Sequence, residues 1–129
     1  AFFAMVLLYT NLRYLTRRNI MHTMKVKTKY YNLLKKGQKT VELRLFDEKR
    51  QKIKVGDEIL FSDISNPNES FKAVVLNLHR AESFHQLCNL ISPRQAGFET
   101  KEKLIMALEE FYSPDEQKKW GVVGIEVKK

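Results

Sequence analysis

The stretch "GQKTVELRLFDEKR", Gly37 to Arg50, decides the fold. Val41, Leu43 and Leu45 alternate with Thr40, Glu42, Arg44 and Phe46, the two-residue period of a half-buried strand. A glycine opens the stretch, where a turn needs a left-handed backbone. Glu42 is the first acid in the chain; 41 residues precede it without one. Spaced i, i+2 on a strand, Glu42 and Arg44 rise from one face about 7 Å apart at the backbone. The expectation is that Val41, Leu43 and Leu45 are buried and that Glu42 and Arg44 face a cleft.

Upstream, "KTKYYNLLKKG" (27–37) reads as a short helix. Tyr30, Leu33 and Leu34 share a face, Lys35 and Lys36 suit its negative end, and Gly37 ends it. That helix end brings Lys35 and Lys36 toward Lys39 and Thr40, which predicts a concave basic corner with one acid inside. Downstream, strands are expected over 54–63, after a turn at Gly56–Asp57, and over 70–80, after a turn at "NPN" (66–68). Short connections suggest that these two and the 39–46 strand form an antiparallel meander.

The remainder is helical before a last strand. Ser83 and Gln86 form a capping box for a helix running to Ile91, with Pro93 ending it. A loop over 92–99 leads to a helix near 100–112, with Leu104, Ile105, Leu108 and Phe111 inward. "SPDE" (113–116) starts another helix, with Ser at the cap and Pro at the first position. "WGVVGIEV" (120–127) is the final strand and must return to the first sheet. The fold class is α+β: a small, mixed, mostly antiparallel β-barrel with three to four short helices, its closure hiding strand edges.

Charge is uneven. The 129 residues carry +8, and nine of the 23 bases lie in the first 41 residues. The remaining 14 bases face 15 acids. A patch of this kind concentrates polyanions such as RNA, DNA or anionic lipid, and it also serves simple solubility. Residues 1–20 are unlike the rest and are expected to be an extension outside a domain spanning 24–128. Their apolar run, Ala1 to Tyr9, is shorter than the roughly 20 residues a bilayer requires, so no membrane span is expected. Cys88 is the single cysteine, so no internal disulfide forms, and a reducing, cytoplasmic setting follows. His22, His79 and His85 lack metal-ligand spacing, and His85 with Cys88 gives too few ligands. No metal and no cofactor is expected.

No GxSxG, HExxH or glycine-rich phosphate loop is present. The available chemistry is the Glu42–Arg44 pair with Lys39 and Thr40. One reading is an ordinary exposed ion pair. In others Glu42 steadies Arg44 for a bidentate contact, accepts from a base amino group, or acts as a general base. Tyr30, Tyr31, Phe46 and Trp120 are candidates for stacking on bases, although aromatics at such spacings also build cores.

Gly37-x-Lys39-x-x-Glu42-x-Arg44 resembles the GxKxxExR signature of ASCH domains, small PUA-like β-barrels named for homology to a transcription coactivator. "LFDEKRQKIKVGDEILF" and "FYSPDEQKKWGVVGIEV" resemble the family's following and C-terminal tracts. The resemblance implies a cleft bounded by the first helix and lined by Lys39, Glu42, Arg44 and Tyr112, with RNA or another nucleic acid as ligand. Thr40 and Lys36 join the expected binding set. A family branch resembling an acetylcytidine amidohydrolase uses the signature Lys, a nucleophilic Thr and a downstream Glu. Here Glu42 occupies the Thr position and the downstream Glu falls near Gly97, so that activity is not expected. If the chain is an enzyme, the resemblance implies a ribonuclease or other small hydrolase, with Glu42 as base and Lys39 and Arg44 stabilising the phosphorane. A coactivator-type interaction domain with a protein partner is the third reading.

Overall fold

The computed structural model describes residues 19–129. The expected extension, 1–20, lies almost wholly outside the described residues.

Five strands form one sheet in the order β1-β3-β4-β5-β2. β1 (Met21–Val26) runs parallel to β3 (Glu58–Asp63), and the other pairs are antiparallel. β4 (Asn66–Ala81) is the long central strand, beside β5 (Val122–Lys128), and β2 (Val41–Leu45) forms the far edge. The fold is an α+β half-barrel, mixed and mostly antiparallel. The expected meander reduces to β3 and β4, because β2 pairs with β5 from the other end of the chain. β1 was not foreseen; buried Asp57 secures it, accepting from the amides of Ile20 and Lys54 and lying 2.8 Å from the His22 ring.

Why β2 takes this place follows from its two faces. Val41, Leu43 and Leu45 sit opposite Glu126, Gly124 and Val122 of β5 and pack under the helices. Glu42 and Arg44 sit opposite Ile125 and Val123, whose side chains belong to the core inside the curved sheet. β2 is therefore covered on both faces, not half-buried as its alternation suggests. Gly124 makes close packing feasible, since a Cβ there would lie 3.0 Å from a Val41 methyl.

The inner core holds Met24, Tyr31, Phe61, Phe71 and Val75. The second core lies between β2 and the helices and holds Phe84, Leu87, Leu104 and Leu108. Those helices are α3 (Phe84–Leu87), α4 (Lys101–Glu109) and α5 (Pro114–Trp120). α1 (Thr28–Lys35) closes one end of the half-barrel, and α2 (Glu48–Gln51) is an added single turn capped by Asp47. Ser113 and Glu116 form the expected capping box at α5. α3 ends at Leu87, short of Ile91, and its cap is the Ser83 side chain alone accepting from the Gln86 amide. Pro93 does not end that helix. It starts a 3-10 turn, Pro93–Ala96, with a Ser92/Gln95 capping box inside the expected loop.

"NPN" is not a turn either. The hairpin turn is Ile64–Ser65, and Pro67 sits where the β3–β4 register shifts, so its missing N–H costs no ladder bond.

α1 ends in a complete Schellman motif: Gly37 donates to Leu34 O and Gln38 to Leu33 O. Gly37 has φ of 76°, and a Cβ there would meet no atom within 4 Å. The backbone conformation alone demands glycine. Gly37→Ala is expected to cost about 1–2 kcal/mol in urea unfolding, with Gly37→Asn milder. Equal stability of Gly37→Ala and the native chain would remove this account.

Candidate functional site

The Schellman turn delivers Lys39 to the mouth of the half-barrel. Its side chain is buried, an unusual place for lysine. Nζ donates to Ala96 O at 3.0 Å, pairs with Glu42 Oε1 at 3.0 Å, and lies 4.8 Å from the Tyr30 ring centroid. Gly97 makes room: a Cβ there would stand 3.2 Å from Lys39 Cδ. Glu42 Oε2 receives Arg44 Nε and Nη2, each at 2.8 Å. Nη2 also donates to Lys25 O at 2.9 Å. β1 and β2 are the two open edges of the sheet, so this bond ties them across the gap that ladder bonding leaves.

Lys39 and Glu42, both buried, thus form with the partly buried Arg44 a triad of net charge +1. Burial by itself pushes the Glu42 carboxyl up, but Lys39 and Arg44, by charge and hydrogen bonding, outweigh it and hold the carboxyl below its ordinary range. Burial opposes ionisation of Arg44 too, and Glu42 more than offsets it. Both Glu42 oxygens are engaged. Of the five guanidinium N–H groups of Arg44, one on Nε and one on Nη2 are hydrogen-bonded, and among the described residues the two on Nη1 meet no partner.

Above the triad is a cleft of about 220 Å³. Tyr30, Phe98, Phe111 and Tyr112 line it, and Lys25 and Lys27 stand at its rim. Phe111, expected to point inward, is 55 % exposed, with the Lys27 ammonium 4.3 Å from its ring centroid. Burial, then the charges of Glu42 and Glu110, raise the Tyr30 phenol above its usual pKa. Cys88 is elsewhere, and burial pushes its thiol up, which makes it a poor nucleophile.

The expected site residues divide. Lys39, Glu42, Arg44 and Tyr112 line the cleft together. Lys36 and Thr40 do not. They line a separate groove with Lys35, because the Schellman turn carries the end of α1 away from the cleft. Among the stacking candidates only Tyr30 reaches the cleft. Tyr31 is core, Phe46 packs against the inner core beneath the Arg80 guanidinium, and Trp120 packs on the helical side. Phe98, Lys25 and Lys27 were missed. Phe98 lies in an aperiodic loop with no signal, and the two lysines were visible only as charge. A larger groove of about 1240 Å³ runs along α3 and α5. No buried charge converges on it, so the smaller cleft is the stronger site. Among the described residues no three His, Cys, Asp or Glu side chains gather as a metal site, and no helix is long and apolar enough to cross a membrane.

Comparison with known proteins agrees with this fold. The family model of the ASCH domain matches residues 24–129. The hypothetical protein PH0355 has 31% identity and a TM-score of 0.74, over 84% of this chain and 97% of its own. PF0455 from Pyrococcus furiosus has 28% identity and a TM-score of 0.64, over 84% and 96%. ASCH from Zymomonas mobilis shares the fold, with 12% identity and a TM-score of 0.61 over 84% and 67%. No curated protein matches the chain. The matched range takes in nearly all of the half-barrel, with Lys39, Glu42 and Arg44 inside it, and the chain belongs to the ASCH domain family.

Proposed function

We propose that this chain is a nucleic-acid-binding module, with RNA as ligand, and that the cleft takes one unstacked base against Arg44. The observation that carries the reading is the fixed guanidinium. Glu42 and Lys25 O hold one edge of it, so its remaining N–H groups meet a ligand with little orientation left to lose. The walls carry aromatic side chains, a residue type that accepts a base by stacking. A volume of about 220 Å³ falls below the roughly 300–1,000 Å³ of pockets for drug-sized ligands. It suits one base rather than a longer segment of chain.

The hydrolase reading is weaker on this geometry. A general base needs a lone pair aimed at a substrate and basicity near the working pH. Glu42 has both oxygens engaged and a lowered pKa, which suits an anchor. The interaction-domain reading has no observation in its favour.

The test is fluorescence anisotropy with short single-stranded RNAs at two salt concentrations, beside a cleavage assay. Arg44→Ala, and Arg44→Lys, which keeps the charge and loses the fork, are expected to weaken binding by about 1–3 kcal/mol. Lys101→Ala, on α4, should change it little. Equal binding by all three variants and the native chain would overturn the proposal and favour an interaction domain.

A further inference from the structure

Lys35 and Lys36, displaced from the cleft, are not left scattered. With Lys128 and Lys129, brought from the end of β5, they line a groove of about 370 Å³. Among the described residues no Asp or Glu side chain lines it. Glu69 is 3.9 Å from Lys35 Nζ, with both side chains about half exposed, a pair too solvated to neutralise the site. The groove sits at the C-terminus of α1, the negative end of a helix, which by itself repels anions. Here the carbonyls of Leu33 and Leu34 are already taken by the amides of Gly37, Gln38 and Lys39, so the lysines set the local field. Phe71 in the groove is nearly buried, so no base can stack there. Lys39 borders both the groove and the cleft, so the two concavities adjoin across one side chain.

We propose that the lysine groove is a track for the phosphate backbone of a single-stranded nucleic acid whose base occupies the cleft. The inference rests on the reading of the cleft given above. Four ammonium groups on flexible stems, without an acidic side chain or a planar fork among them, supply point charges rather than a shaped site. Repeated phosphates meet such a field equally well at several registers, and each phosphate neutralised releases counterions.

The experiment measures affinity against salt for a single-stranded RNA of about twelve nucleotides, and for uridine monophosphate alone. Lys35→Ala/Lys36→Ala/Lys128→Ala is compared with Lys101→Ala/Lys118→Ala/Lys119→Ala, an equal loss of charge elsewhere. The groove variant is expected to flatten the slope of log affinity against log salt by about 0.7 for each phosphate it no longer neutralises, about 2 in all. Its affinity for the RNA should drop roughly tenfold or more at low salt, while its affinity for the mononucleotide holds. The control triple should keep the native slope. Equal flattening by both triples would overturn the track, as would a polyglutamate peptide displacing RNA as well as an RNA competitor does. If the mononucleotide fails to bind the native chain but the groove variant still flattens the RNA slope, the track stands and the cleft reading falls.

Discussion

Glu42→Gln is expected to destabilise the fold by about 3–5 kcal/mol at neutral pH, the cost of removing one partner from a buried charge set. Lys39 would remain buried and Arg44 partly buried with no counter-charge, and glutamine offers one acceptor oxygen where three nitrogens now meet two. The pH dependence has a definite sign. The folded pKa of Glu42 lies below its ordinary 4.5. Its contribution is therefore full above about pH 4.5 and is lost as pH falls through the lower folded value. Urea unfolding at a series of pH values should show the native chain and Glu42→Gln converging in acid. Lys39→Met/Glu42→Gln should recover part of the loss, because an apolar replacement relieves the stranded charge. A loss below about 1 kcal/mol at neutral pH, the scale of an exposed pair, would show that the triad does not hold the β1–β2 seam.

Phe84→Ala is the second large effect, with an expected loss of about 3–5 kcal/mol. Phe84 is fully buried in the second core, and its amide donates to Gln117 Oε1 at 3.0 Å. Its ring centroid is 5.7 Å from that of Tyr112, a wall of the cleft. The cavity left behind should therefore loosen the cleft wall as well as the core. Unfolding followed through Trp120, the single tryptophan, measures the stability loss. RNA binding at a temperature where the variant stays folded should be weaker than native. Phe84→Leu, which leaves a smaller cavity, should fall between. A native-like midpoint for Phe84→Ala would mean that α3 contributes little to this core.

Much of the fold was legible locally. The alternation at 41–46 placed Glu42 and Arg44 on the face opposite Val41, Leu43 and Leu45, and they lie there. Gly37, Ser83 and Ser113 marked helix ends through backbone and cap chemistry that operates within four residues. The misreadings have one origin. "NPN" carries turn residues, but the β3–β4 register turns two residues earlier. Phe111 follows the helical period of α4, but α4 ends at Glu109, so the period no longer directs its side chain. Lys36 and Thr40 are near Lys39 in sequence, but the chain reverses between them and the cleft.

By itself the sequence determined most of the elements, though not β1 or the single turn α2, together with the side of β2 on which the charged pair lies and the resemblance that names the family. Each depends on φ/ψ preferences, cap bonds or a period of two, forces that act over a few residues. Only the tertiary structure decided that β5 inserts between β4 and β2, and that Arg44 reaches Lys25 O across the seam. It also decided that Glu42 is saturated, and that Lys128 joins Lys35 and Lys36 in one groove. These arrangements join residues up to about ninety positions apart. The choice among strand pairings is made by burying both faces of β2 and β5 at once, a condition that no local stretch of sequence expresses.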